Sequence, residues 1–551
     1  MGDQAEDFDF IIVGSGGGST PAALLMHEQG KRVLIIEKSE LIGGTSAYSG
    51  GVIWIPNNDI LNEAGGGDSH ARSREYLDGL IGDFTPSSTP AKRDAWIREG
   101  PAMIRFLQSQ GMEFRHAWWP DYYDNRPGGS VQGRSLAAPL FDVNKLGEWG
   151  PKLAHNPLTS AMPIPSWESV WLFKSSTTWR GKWVGVKMLM RMIFLNKLLG
   201  KTIRGAGNAL QGRLYQIVLR KKIPIWNATP VVDLIVEDGR VAGVVAEREG
   251  KRVEVRAKLG VLLNAGGFSR NIEMREKYQP KPTSAEWTQV NPCDTGEMIE
   301  SAMKLGAATD QMDESFWLPS SFMPDGTFVS FHTPNDTGRP HVMVVGPDGK
   351  RFVNESNSYM EFGRAMYTAG AVPAWAVIES RARRKSIWGP MLPGITPKNM
   401  VESGYMRKFD TLEALAEACG IDPAGLAAEV ERFNGFARSG VDEDFHRGES
   451  AYNQYYGDPK NRPNTNLGTI EKPPYYAVAI WPGDVGTCGG LVTDENARVM
   501  KEDGSPIPGL YACGNTSAAV GGRVYAGAGA SVGPSMTFGY IAARHASGAN
   551  A

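Results

Sequence analysis

Apolar and polar positions alternate in blocks along the first fifty residues. Phe10 to Val13 is an unbroken apolar run, a glycine turn covers residues 14–18, and a helix-length amphipathic stretch leads to a second apolar run, Val33 to Ile36, ending at Glu37. Short β-rich runs on either side of a helix-length segment predict one βαβ unit. Residues 205–225 carry helical spacing, and residues 231–267 read as short strands with turns at Asp238-Gly239 and Glu249-Gly250. From about 315 to 486 the texture changes to loops rich in Pro, Asn and Gly, broken by helical segments such as "TLEALAEACG" and "PAGLAAEVERFNGFARSG". The last segment returns to strand, glycine turn and a helix over roughly Ser531 to His545. The pattern therefore predicts an α/β chain in which one domain is interrupted by another: 1–314, then 315–486, then a return at 487–551.

The glycine turn "GSGGGS" sits between a strand and a helix. Gly14, Ser15, Gly16 and Gly18 give a tight turn, close backbone approach to a pyrophosphate, and a helix N-terminus to hold it. Glu37 is placed to accept hydrogen bonds from a ribose, with Lys38 beside it. Ser19 stands where the fingerprint has its third glycine, which predicts slightly looser contact between helix and strand. The fingerprint makes the first domain Rossmann-like but does not separate NAD from FAD.

Composition narrows the partners. A formal net charge of −2 over 551 residues supplies no basic surplus for nucleic acid. Cys293, Cys419, Cys488 and Cys513 are scattered without metal-ligand or disulfide spacing, which predicts no metal site and fits a reducing, cytoplasmic compartment. The acidic start "MGDQAEDFDF" is unlike a signal peptide, and no run of about twenty apolar residues offers a membrane span. Residues 169–232 contain no acidic residue, while Lys174, Arg180, Lys182, Lys187, Arg191, Lys197, Lys201 and Arg204 fall among Trp, Met, Leu and Ile. Two readings of this basic apolar insertion, about 169–204, stand open: a helix packing its stripe on the protein, or an amphipathic helix lying on an anionic membrane at the cytoplasmic face.

After Glu37 the chain reads "EKSELIGGTSAYSGG", which places Gly44, Thr45, Ser46, Ser49, Gly50 and Gly51 just past the second strand. Together with "VLLNAGG" at 261–267 and "GLYACGNTS" at 509–517, this resembles the FAD-binding pattern of the fumarate reductase/succinate dehydrogenase flavoprotein superfamily. The resemblance implies non-covalent FAD. No histidine lies between His27 and His70 to attach it covalently. It also implies an inserted α+β catalytic domain, and cofactor contacts at Val231, Ala265, Gly266, Asp294, Gly514, Asn515, Ser531 and Val532.

"GGRVYAGAGASVGP" at 521–534 looks like another dinucleotide loop, but no apolar strand leads into it. It precedes a helix whose N-terminal N–H groups would favour charge developing on a reduced flavin. Tyr525, four residues before Gly529, fits either a packing tyrosine or a second donor to one carbonyl oxygen.

Four separated pieces, "PDYYDNRPGG" (120–129), "RFVNESNSYMEFGRAM" (351–366), "GVDEDFHRGESAYNQYYGDP" (440–459) and "GRVYAGAG" (522–529), resemble the 3-ketosteroid Δ1-dehydrogenases in order and spacing. The resemblance implies that Tyr525 and Gly529 hold the steroid C3 carbonyl, that Tyr359 is the base for the C2 proton, and that Tyr122 supports it. Family members commonly show Y-P-G-P-G, whereas Ala526 and Ala528 stand here, which predicts a less stiff loop. Ionising an ordinary tyrosine at pH 7 costs about 4 kcal/mol, so the base needs help. A steroid burying roughly 350 Å² of apolar surface gains on the order of 9 kcal/mol gross, so the carbonyl contacts need only orient it. Trp118, Trp119, Phe316 and Trp317 are candidates to line such a slot. A quinone or oxygen would reoxidise the flavin. Two alternatives are carried forward: Δ4-(5α)-desaturation, as in a sister family, and a fumarate reductase-like activity using Arg364 and Arg523. A flavin-containing carrier without chemistry is a third, which the tyrosine and glycine positions argue against.

Overall fold

The computed structural model describes residues 6–84, 86–156, 162–329 and 332–549. The acidic start, residues 1–5, lies outside the described residues. Two sheets organise the rest. The first has eight strands, and its parallel centre runs in the order Pro506–Ala512, Lys251–Leu263, Glu6–Val13, Val33–Ile36, Ile225–Trp226. Ile12 is paired with Leu262 on one side and Ile35 on the other, and Leu262 is paired in turn with Tyr511. Ile12, Ile35 and Leu262 are fully buried. Burial on both faces is why these strands read as unbroken apolar runs.

Arg240–Arg248 pairs antiparallel with both Lys251–Leu263 and Val231–Glu237. The two hairpin turns fall at Asp238-Gly239 and Glu249-Gly250, and all four residues have positive φ. Such paired left-handed positions match the twist of the flanking strands. The second sheet is wholly antiparallel and centres on the long strand Tyr475–Thr487, which Ser315–Phe322, Ala374–Glu379 and Arg407–Phe409 flank. Helices Leu412–Cys419 and Pro423–Ser439 share one apolar cluster with this sheet, including Leu415, Phe433 and Val377.

The first and last helices close the cofactor layer. Ser19–Glu28 and Val532–Ser547 meet through glycine: a Cβ on Gly18 would lie 2.5 Å from the Ser535 carbonyl oxygen, and one on Gly539 would lie 2.1 Å from that of Gly18. Ser19 does not loosen the turn. Its hydroxyl donates to the Gly14 carbonyl at 2.7 Å and accepts from Asn264 Nδ2 at 2.7 Å, tying the glycine turn to the end of the neighbouring strand. A glycine there could make neither bond.

The basic insertion forms helices Ser169–Phe173 and Trp179–Met190, the second running into a π-helical stretch, Arg191–Leu198. Val170 and Val184 are buried, but most of its apolar side chains do not pack on the protein, which departs from the first of the two readings of this segment. Trp179 is 84% exposed, Trp183 62%, Phe194 50% and Leu198 64%. Among the described residues no helix is long and apolar enough to cross a membrane.

Gly18→Val should lower stability by about 1–3 kcal/mol through overpacking between the two helices. Thermal unfolding measures this; an unchanged midpoint would contradict the close helix contact.

Candidate active site

One cavity of about 660 Å³ runs from the glycine turn, across the ends of the parallel strands, to the antiparallel sheet. At one end Gly14, Ser15, Gly16, Glu37 and Lys38 line it, joined by Thr229, Val231, Asp294 and Glu297. Glu37 is buried and already accepts from Ser15 Oγ at 2.5 Å, Ser15 N at 3.0 Å and Ser39 N at 2.8 Å. Burial pushes its carboxyl above the usual carboxylate range. Lys38 Nζ donates to Thr295 Oγ1 and Glu297 at the rim.

The residues fit a dinucleotide. Both carboxyl oxygens of Asp294 are buried without a partner in the protein, and burial together with the Asp484 carboxylate pushes this group up to about 7. An orphaned acceptor of that kind calls for a hydrogen-bonding ligand. Gly14 holds φ +98°, and a Cβ there would meet the Asn264 carbonyl at 2.2 Å, so the turn can only be glycine. Beyond it, Gly44, Thr45, Ser46, Ser49 and Gly50 on and just after the short helix Gly44–Tyr48, Ala265 and Gly266 after the strand Lys251–Leu263, Gly514 and Asn515, and Ser531 and Val532 at the start of the last helix continue the lining. These are the residues that would hold an FAD extended along the cavity, with the start of Val532–Ser547 at its far end.

At that far end three tyrosines from distant parts of the chain converge. The ring centroids of Tyr359 and Tyr525 are 5.3 Å apart, and Tyr122 lies 5.5 Å from each. All three line the cavity beside Gly529. Tyr359 opens the helix Tyr359–Thr368. Ahead of it, Glu355 is fully enclosed with Arg351 at 2.8 Å and Arg447 at 3.0 Å, and their charges hold it down to about 2 against the desolvation of burial. Asn354 accepts from Ser356 N and donates to Asn453 Oδ1. Tyr122 is fixed through its backbone, whose N–H donates to the Ala526 carbonyl at 3.1 Å.

Burial pushes all three phenols up, but unequally. Tyr122 and Tyr359 are held well above the ordinary tyrosine range by desolvation and by neighbouring tyrosines. Burial raises Tyr525 as well, but the hydrogen bond with Tyr359, and then the N–H groups of Ser531 and Gly529, offset part of the rise. The trio thus splits into a better hydrogen-bond donor, Tyr525, and a stronger base when ionised, Tyr359.

Residues 9–532 match the FAD binding domain family. The chain is 40% identical over 560 aligned residues to a 3-oxosteroid 1-dehydrogenase of Mycobacterium tuberculosis, with 98% of each chain covered. The chain belongs to the 3-oxosteroid 1-dehydrogenase family. A crystal structure of 3-ketosteroid Δ1-dehydrogenase from Sterolibacterium denitrificans, in complex with 1,4-androstadiene-3,17-dione, superposes with a TM-score of 0.93 at 36% identity, covering 99% of this chain and all of the other. The Δ4-(5α)-dehydrogenase of Rhodococcus jostii superposes with a TM-score of 0.66 at 20% identity and 99% and 98% coverage, a likeness of fold alone.

For this 3-oxosteroid 1-dehydrogenase relative, the cavity brings together every candidate catalytic and cofactor-binding residue except two. Gly18 packs against Ser535 as above, and Gly51 (φ +67°) packs on the Ala206 carbonyl, 2.2 Å from a notional Cβ. Both are backbone-contact glycines, which a glycine count cannot distinguish from ligand-contact ones. Of the aromatic candidates only Trp119 lines the main cavity; Trp118 is 52% exposed, Trp317 lies in the core, and Phe316 packs edge-on against Tyr525. Arg364 and Arg523 are engaged with Glu314 at 3.0 and 3.2 Å and do not reach the cavity. The cations a dicarboxylate would need are therefore absent from its described lining, where Lys38 is the sole cation.

The Tyr525 loop is not loose despite its alanines. The Ala526 carbonyl also accepts from Tyr76 Oη at 2.7 Å, and the Ala528 carbonyl accepts from Ser135 Oγ at 2.8 Å. Missed from the sequence were Asn264, which carries the bond to Ser19, and Tyr456, whose hydroxyl accepts from Trp119 Nε1 at 2.8 Å. Both lay inside stretches singled out on other grounds.

Glu355→Gln should leave two buried guanidinium groups short of their shared carboxylate, at a cost of about 3–5 kcal/mol. Denaturant unfolding checks it; a stable variant with full turnover would show that Tyr359 is positioned without this network.

Proposed function

We propose that the chain catalyses FAD-dependent 1,2-desaturation of 3-ketosteroids through the tyrosine trio. The observation that carries this is the convergence of Tyr122, Tyr359 and Tyr525 beside Gly529 in the cofactor cavity. Tyr525 Oη and Gly529 N–H donate to the C3 carbonyl oxygen, and enolate charge developing there makes C2 acidic. Tyr359 takes the C2 proton, and Tyr122 donates to the phenolate that receives it. Bound FAD supplies the acceptor for the hydride leaving C1. The steroid loses two hydrogens and gains the C1–C2 double bond. The buried walls exclude water, which strengthens each contact to the carbonyl. A quinone or oxygen then removes the electrons.

Anaerobic addition of a 3-keto-4-ene steroid to the holoenzyme tests the reading. The flavin should bleach and the product should be lighter by two hydrogen atoms, unsaturated at C1–C2. A yellow flavin, or a double bond elsewhere, overturns it. Tyr359→Phe should cut turnover about 10²–10⁴-fold with FAD retained. Because the active form is the phenolate and its pKa is raised, kcat/KM should climb with pH from neutrality upward; a flat profile would count against Tyr359.

A second reading concerns the insertion, where one observation favours a lipid surface. Trp179, Trp183, Val186, Met190 and Phe194 form an exposed ridge flanked by Arg180, Lys182, Lys197 and Lys201. Leu172 and Phe173, at its base, line the cavity. An amphipathic helix with a basic rim suits the interface of an anionic bilayer. The protein should sediment with phosphatidylglycerol vesicles and not with phosphatidylcholine, and Trp183→Glu with Phe194→Glu should release it. Absence of vesicle binding, or a dimer that covers the ridge, would rule the reading out.

A further inference from the structure

The cavity has a second polar end that the tyrosine chemistry leaves unused. Rings connect the two ends: Tyr525 to Tyr122 at 5.5 Å, Tyr122 to Tyr452 at 4.4 Å, Tyr452 to Tyr456 at 5.2 Å, with Trp119 hydrogen-bonded to Tyr456. Beyond this wall Thr333 and Asn335 line the cavity beside Phe173. Arg339 fixes their place, since its guanidinium donates to the Asn335 carbonyl at 3.0 Å, the Gly457 carbonyl at 3.3 Å and the Phe173 carbonyl at 3.2 Å.

The chemistry of the pair is unspent. Asn335 Nδ2 and N donate to Thr333 Oγ1 at 3.2 and 3.4 Å, which turns Asn335 Oδ1 away from Thr333. That oxygen is buried without a partner. The Thr333 hydroxyl accepts twice and, among the described residues, its proton goes to none. By contrast, the slot hydroxyls of Ser166 and Ser169 donate to the carbonyls of Gly50 and Ser166. One free donor thus stands beside one free acceptor, opposite the carbonyl clamp.

We propose that Thr333 and Asn335 form a subsite for an oxygen function at the far end of the steroid, on the D-ring. The inference rests on the ketosteroid reading. The Thr333 hydroxyl donates to a C17 ketone, and a C17 hydroxyl in addition donates to Asn335 Oδ1. An apolar chain at C17 satisfies neither group, and a site built to hydrogen-bond its ligand discriminates strongly against an analogue that cannot.

The test uses FAD-loaded enzyme and three 3-keto-4-ene steroids carrying a 17-ketone, a 17β-hydroxyl or a saturated hydrocarbon chain. Thr333→Val, which keeps the volume, should reduce kcat/KM for the 17-ketone ten-fold or more, chiefly through KM, and leave the hydrocarbon-chain steroid within two-fold. Asn335→Leu should do the same to the 17β-hydroxyl steroid. Thr333→Ser keeps the hydroxyl and should preserve the wild-type order, which separates lost bonding from misfolding. Equal losses on all three steroids, or no loss, overturn the subsite while the dehydrogenase reading stands. Wild-type flavin that no 3-ketosteroid bleaches overturns both.

Discussion

The Ala526 carbonyl oxygen is the point on which the geometry of the tyrosine site turns. It accepts the backbone N–H of Tyr122 and the hydroxyl of Tyr76, so a loop near the end of the chain is bound to one from its first quarter. The neighbouring groups enforce the same junction: Trp54 N donates to the Gly529 carbonyl at 3.1 Å, and a Cβ on Gly527 would meet the Trp54 ring at 2.4 Å. Asp121, next to Tyr122, accepts from Trp54 Nε1 at 2.8 Å and is buried against Arg134. Two tyrosines are thereby placed before any substrate arrives. The third, Tyr359, opens the helix Tyr359–Thr368 just after the Glu355 cluster.

In the proposed reaction that arrangement lets one residue type take opposite roles. Identical phenols differ only through what points at their oxygens. Desolvation raises both, but on Tyr525 the hydrogen bond with Tyr359 and the N–H groups of Ser531 and Gly529 offset part of it, whereas Tyr122 and Tyr525 push Tyr359 further up. Electrostatic preorganisation of this kind needs no metal and no charged side chain at the reacting carbonyl.

Much of the cofactor layer was legible because it obeys local rules. Apolar runs, hairpin turns and the glycine fingerprint are governed by neighbours in sequence, and the strand Val33–Ile36 appears with its expected bounds. What escaped depends on contacts between distant segments. Gly18 looked like a phosphate glycine but serves helix packing, and Ser19 looked like a defect but bridges the turn to Asn264. Periodicity revealed the apolar stripe of the insertion without saying which way it faces. Trp179 and Trp183 show that it faces out. The tyrosine site was readable only as a resemblance, since nothing in the spacing of Tyr122, Tyr359 and Tyr525 brings them together.

The pairing of Val261 with Leu510 and the seat of the first helix on the last have a consequence for synthesis. The nucleotide-binding layer cannot be completed until the strand Pro506–Ala512 and the helix Val532–Ser547 have left the ribosome. Until then the strand Lys251–Leu263 lacks its partner Pro506–Ala512, and the early helix lacks its cover. A parallel edge of that kind forms slowly and invites wrong pairing. Recovery of active protein should therefore depend on chaperone capacity and growth temperature more than the stability of the finished fold would suggest.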